Sequence, residues 1–264
     1  FLKNMKTSSK IKLAKFMFNI LIFLGIKKNL IVQRKLINWK LDLSEGIDLS
    51  IFLFGSFQGR VIDSIFKFIF SQKNYRYDII DIGSNIGDKS LSLSNKLLEN
   101  KFYNFKIFSI EPTDYAFNKQ VSNINLNPKL KKKISLFKYF VSNKKNKPKE
   151  IYSSWKLDTK NKTHKLHLGS LKRVNKSTRC IKLDEFIKKN KIKNQIILKM
   201  DVDGSELDIL KSSTKLLKKS NPIIFMEYAP YIMKEHGSNT KKFLNFLNKY
   251  DYNIYDLNFN KFKK

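Results

Sequence analysis

A chain of 264 residues with 42% apolar content and 22 phenylalanines can bury a sizeable core. That excludes global disorder and leaves room for one α/β domain with a small N-terminal addition. The single cysteine, Cys180, excludes an intramolecular disulfide framework and a multi-cysteine zinc site, and suits a reducing, cytoplasmic compartment. Only five of the 53 basic residues behind the net charge of +31 are arginine (Arg34, Arg60, Arg76, Arg173, Arg179), and the lysines run along the whole chain. The charge therefore reads as a compositional background that draws the protein weakly to anionic surfaces, and no specific nucleic-acid partner is expected.

The chain begins at Phe1 rather than methionine, which leaves its N-terminus open. Residues 10–36 mix lysines with an apolar run from Phe16 to Ile26, too short to span a bilayer. A packing helix is the favoured reading. A basic interfacial helix in weak peripheral contact with an anionic membrane comes second, and a signal-peptide core third, since no small-residue cleavage site follows cleanly. Residues 1–50 are assigned to this basic helical extension and 51–264 to the main domain. Residues 41–60 alternate and carry Gly46, Gly55 and Gly59, which predicts a short hairpin or lid; Val61–Phe70 predicts an amphipathic helix.

From Tyr77 onward strands and helices alternate. Strands are predicted at 79–82, 105–110, 134–141, 196–200 and 222–227. Helices are predicted around 89–99, 114–125 (Asp114 as N-cap), 181–190, 206–217 and 241–249. Residues 150–180 read as a strand pair or a cap, and 252–259 as a final strand pair. Near-continuous apolar strands alternating with helices predict an α/β fold: a mostly parallel, doubly wound, Rossmann-like sheet covered on both faces.

The stretch YDIIDIGSNIGD (77–88) is a strand, a glycine turn and a helix N-terminus. Its backbone N–H groups would face a ligand above the carboxyl end of the strand. Asn85 stands where the dinucleotide fingerprint needs its second glycine. Asp81, two residues before Gly83, would repel a pyrophosphate and attract an ammonium or sulfonium. The expected cofactor is therefore a positively charged nucleoside without phosphate, S-adenosylmethionine. Acids also mark the ends of four strands: Asp81, Glu111, Asp201 and Glu227. Glu111, one β-α-β step after Asp81, can accept both ribose hydroxyls; the plainer alternative is that it caps the turn before Pro112.

The order of DIGSNIGDKSL (81–91), IEP (110–112), LDEF (183–186), LKMDVDGSELDILKSS (198–213) and PIIFMEY (222–228) resembles the FkbM family of S-adenosylmethionine-dependent methyltransferases, over roughly residues 50–230. The resemblance implies a class I, Rossmann-like methyltransferase fold and mainly O-methylation of sugars and related natural products. It places Asp81–Gly87 at the methionyl part of the cofactor, with Gly83 and Gly87 allowing close backbone approach and Asn85 bonding the amino-acid end. Glu111 goes to the ribose and Ser142 near the adenine. Asp201 becomes the first candidate for the base that accepts or orients the acceptor hydroxyl, followed by Glu227, with Asp203, Glu206 and His236 toward the acceptor. For Glu206 a helix N-terminal charge is an equal alternative. The family usually has glutamate where Asp203 stands. No metal site is expected.

Other features carry less. Asp201-Val202-Asp203 has the D-x-D form of metal-dependent glycosyltransferases without a matching context. His164 and His167 read as surface histidines, and Cys180, Trp39 and Trp155 as packing residues, Trp155 in reach of an acceptor sugar. RNA methylation, or a non-catalytic membrane-surface or binding role on a methyltransferase fold, remain the alternatives.

Overall fold

The computed structural model describes residues 7–158 and 169–262; His164 and His167 lie outside them. An N-terminal helix, α1 (Thr7–Phe23), leads into a hairpin of β1 (Asn29–Arg34) and β2 (Ile37–Asp42). Helices α2 (Gly46–Phe54) and α3 (Gly59–Ser71) follow. The alternating core runs β3 (Tyr77–Ile82), α4 (Asp88–Glu99), β4 (Phe105–Ile110), α5 (Asp114–Asn125), α6 (Pro128–Lys131) and β5 (Ile134–Phe137). Short strands β6 (Tyr139–Val141), β7 (Glu150–Tyr152), β8 (Leu171–Arg173) and β9 (Arg179–Ile181) come next. The chain then continues through α7 (Leu183–Lys189), β10 (Gln195–Met200), α8 (Glu206–Lys211), α9 (Thr214–Ser220), β11 (Ile223–Met226), α10 (Pro230–Met233), a 3-10 turn (Lys234–His236) and α11 (Thr240–Asn248).

The main sheet has five parallel strands in the order β11-β10-β3-β4-β5. Strand order reverses between β3 and β10, so the crevice for a ligand opens above their carboxyl ends. Successive side chains serve opposite faces. Ile79, Ile107 and Ile197 pack with α1–α6 in one core cluster, and Ile80, Phe108 and Leu198 with α7–α11 in the other. The predicted Rossmann-like α/β fold is therefore the observed one. Residues 37–49, through Ile37, Trp39, Leu41, Leu43 and Leu49, join the first of these clusters.

Several local expectations are corrected. Residues 46–54 form helix α2, not a hairpin or lid, and Asp48 is buried there against Lys119. The hairpin lies earlier, turning at Lys35 and Leu36 with φ +49° and +61°. This pair of left-handed residues normally signals itself as Asn-Gly, which is absent here. The strand predicted over 134–141 breaks at Lys138, held by Asp114, and its second half pairs with β9 instead. Thr113, not Asp114, sits at the N-cap of α5. The helix predicted over 206–217 divides at Ser212 and Ser213, whose hydroxyls donate back to Ile209 and Leu210 carbonyls at 2.6 and 2.8 Å. Such back-bonding competes with helix continuation. Asp184 then accepts from Lys215 and Leu216 N–H at 2.9 Å to start α9. Residues 252–259 make only a bridge between Tyr255 and Lys261 instead of a strand pair. Cys180 is half-buried at a strand edge rather than in the core.

No single described helix is long and apolar enough to cross a membrane. The bent pair α2–α3 passes by length and composition together, but its Leu49, Ile51, Ile62, Ile65 and Ile69 are core residues.

Candidate functional site

A cavity of about 1010 Å³ lies above the carboxyl ends of β3, β4, β10 and β11. Gly83, Asn85, Glu111, Ser142, Asp201, Asp203, Glu227 and His236 all line it. Asp81, Gly87 and Glu206 do not; they stand behind its wall. Strand β7 and the segment that follows it close one side through Tyr152, Ser153 and Trp155.

The glycine loop is built by backbone constraints. Gly83 has φ +75°, and a Cβ there would sit 2.1 Å from the Asp201 carbonyl oxygen. Its glycine is demanded by the close approach of the β3 and β10 ends, before any ligand is considered. Asn85 has φ +50°, a left-handed conformation that asparagine tolerates better than most side chains. This is why the position without glycine is compatible with the turn. Asn85 N–H donates to Glu111 Oε2 at 3.0 Å, and its amide donates to Ser153 Oγ at 3.2 Å. Gly87, at φ +89°, opens α4.

Glu111 is buried and accepts three protein hydrogen bonds: from Asn85 N–H, and from Thr113 N–H (2.9 Å) and Oγ (2.6 Å) to its other oxygen. Burial pushes its carboxyl up; the Thr113 and Asn85 donors oppose that. It thus fastens the glycine loop to β4 while reaching the cavity. Ser142 donates to Asp208 Oδ2 at 2.5 Å.

Asp81 does something the sequence did not suggest. Its carboxylate is 2% exposed, accepts from Ser90 Oγ at 2.7 Å and lies 3.0 Å from the ammonium of Lys199. It faces the protein interior and Lys199 rather than the cavity. Lys199 also donates to the Gly83 carbonyl at 3.3 Å and stands 3.8 Å from Asp201. Burial alone would lower its pKa, but Asp81 and Asp201 more than offset that, and it lies above the ordinary lysine value. Ser90 Oγ lies 2.8 Å from Ser109 Oγ, and Gln120 donates to Ser109 (2.5 Å) and Ser84 (2.8 Å). This buried polar row supports the loop from below. Lys199 was legible as an anomaly, a lysine inside the apolar strand QIILKM. A charge there requires a buried counter-charge.

Asp201, Asp203 and Glu227 form an acidic wall. The Asp203 carboxyl is pushed up to about 7, first by burial, then by Asp201 and Glu206. Glu227 is raised by partial burial, then by the adjacent Asp201, although its side chain is open to solvent on the cavity side. Like charges this close disfavour double ionisation. Asp203 has φ +47°, which aspartate tolerates better than the glutamate usual in the family. Glu206 is buried, and its Oε1 accepts from Gly204 N–H at 3.4 Å, so the helix-terminal role is the one its contacts match. Burial lowers the His236 imidazole, whose Nδ1 lies 3.5 Å from Ser205 Oγ. Among the described residues, no three His, Cys, Asp or Glu side chains converge as a metal site.

With this geometry in place, sequence comparison finds the methyltransferase FkbM domain over residues 81–254, about two thirds of the chain. The chain belongs to the FkbM methyltransferase family. The matched span contains the glycine loop, Glu111 and the acidic wall of this FkbM domain, and begins after α1–α3. A crystal structure of methyltransferase FkbM from Methylobacillus flagellatus KT is 17% identical, with a TM-score of 0.38. It covers 69% of this chain, which spans 39% of the length of that one. No curated protein matches the sequence significantly.

Proposed function

We propose that this FkbM-family protein is an S-adenosylmethionine-dependent methyltransferase that methylates a hydroxyl of a sugar, glycan or related small molecule. The carrying observation is the charge of the cavity wall. In a chain of net charge +31, the described residues lining the cavity include eight carboxylates and six lysines. A locally acidic wall in a basic protein favours a cationic ligand and disfavours an RNA phosphate chain. The polar side chains that line the cavity suit such a nucleoside: the Asn85 amide, Glu111 as acceptor for hydroxyls and Ser142 farther along. Asp81 acts one step removed, holding Lys199 beneath the loop.

When bound, S-adenosylmethionine supplies a methyl group on a positively charged sulfur. The protein's part is to orient an acceptor oxygen and receive its proton. Asp201 and Glu227 suit that role, because both carboxyl groups line the cavity and Glu227, raised by burial and by Asp201, is disposed to take up a proton there. Orientation in the cavity contributes several kcal/mol of barrier lowering by effective-molarity arguments, roughly. Trp155, Tyr152 and Tyr231 among polar groups suit the mixed faces of a sugar ring. Titration calorimetry with S-adenosylmethionine, followed by product mass analysis against a panel of glycans, tests the reading. Absence of cofactor binding by the wild-type protein overturns it, and transfer to a nitrogen or carbon centre overturns the O-methylation part.

A further inference from the structure

Helix α1 carries two apolar stripes where a packing helix needs one. Ile11, Ala14, Phe18 and Leu21, at spacing i, i+3, i+7, i+10, face the core. Leu13, Phe16, Ile20 and Phe23 repeat the same spacing two residues on, about 200° around the helix, on the opposite side. On that side Phe16 is 61% exposed and Phe23 90%, and the following Leu24 is 67% exposed. Every exposed leucine and isoleucine among the described residues falls between Leu13 and Leu36; beyond Phe54 the exposed large apolar side chains are aromatic, mostly tyrosine.

The charge around the stripe differs from the lysine background. Ten lysines and arginines and no acidic residue precede Asp42, whereas all 22 acidic residues fall among the later 43 basic ones (53 − 10). Lys12, Lys15 and Lys27 are exposed beside the stripe. A second copy of this surface would meet it with like charge. A lipid surface with anionic headgroups offers both the apolar layer for the phenylalanines and the counter-charge for the lysines.

We propose that α1 docks the protein onto an anionic membrane surface, with Leu13, Phe16, Ile20, Phe23 and Leu24 entering the headgroup boundary and Lys12, Lys15 and Lys27 against the phosphates. Thr7, the first residue of α1, lines the candidate cavity, so docking holds that cavity beside the membrane. The inference stands independently of the methyl-transfer reading.

The test is flotation of the full chain with phosphatidylcholine vesicles with and without phosphatidylglycerol, at physiological salt. The wild type is expected to float with the anionic vesicles, and Phe16→Glu/Phe23→Glu to partition at least tenfold more weakly with unchanged melting temperature and circular dichroism. Three results overturn the proposal: no vesicle binding; binding that salt abolishes but the double variant retains, which is diffuse lysine attraction; or a dimer that the double variant dissociates, which assigns the stripe to a second copy.

Discussion

Lys199 on β10 and Asp81 on β3 are register partners in adjacent parallel strands, ammonium to carboxylate 3.0 Å apart in the sheet interior. Both side chains are almost fully buried. Removing one partner from such a pair leaves an uncompensated charge and typically costs about 3–5 kcal/mol. Lys199→Met should therefore lower the chemical-denaturation free energy by roughly that amount, and Lys199→Met/Asp81→Asn should recover part of it. A double-mutant cycle in urea measures the coupling; strict additivity would refute the pairing.

Glycine positions separate conformation from space. Gly83→Ala meets both φ +75° and the Asp201 carbonyl at 2.1 Å, whereas Gly237→Ala meets φ +72° with nothing within 4 Å. The second should cost about 1–2 kcal/mol, the conformational penalty alone. The first should exceed about 4 kcal/mol and fail to accumulate as folded protein. Comparing soluble yield and thermal melts of the two variants decides the matter.

The acidic wall gives a pH dependence of fixed sign. Asp203 is raised from 3.8 to about 7 and Glu227 is raised as well. Between the unfolded and folded values the native state binds more protons than the unfolded chain, so stability falls as pH rises through this window. The melting temperature of the ligand-free protein should decline from about pH 4 to 7 by this contribution, and Asp203→Asn and Glu227→Gln should each flatten the slope. A bound sulfonium favours the ionised carboxylates, so S-adenosylmethionine should stabilise the protein more at pH 8 than at pH 6. A pH series of thermal melts with and without cofactor reads both.

Glu111 offers a test of the loop. In Glu111→Gln one oxygen becomes an NH2 facing either the Asn85 or the Thr113 donors, so a hydrogen bond turns into a donor–donor contact. Loss of one charged acceptor corresponds to about 1.5–3 kcal/mol. Calorimetric affinity for S-adenosylmethionine should fall at least tenfold, with enough folded protein for the titration. Unchanged affinity would confine Glu111 to the turn-capping role.

The sequence by itself determined the alternation of apolar strands and helices, the glycine turn at 83–87 and the acids at the ends of successive strands. Those signals are local: run length, turn residues and chain position fix them without knowledge of neighbours. What Asp81 touches is not local. The register of β3 against β10 sets Lys199 opposite it, and the two pair in the sheet interior. The turn at Lys35-Leu36 and the break at Ser212-Ser213 were likewise hidden. One lacks the usual glycine, and the other rests on hydroxyls whose backbone bonds compete with an otherwise continuous helical pattern. The apolar run of α1 was visible in the sequence, but only the tertiary structure decided which of its side chains the core covers, because burial belongs to the packing of elements and not to the helix alone.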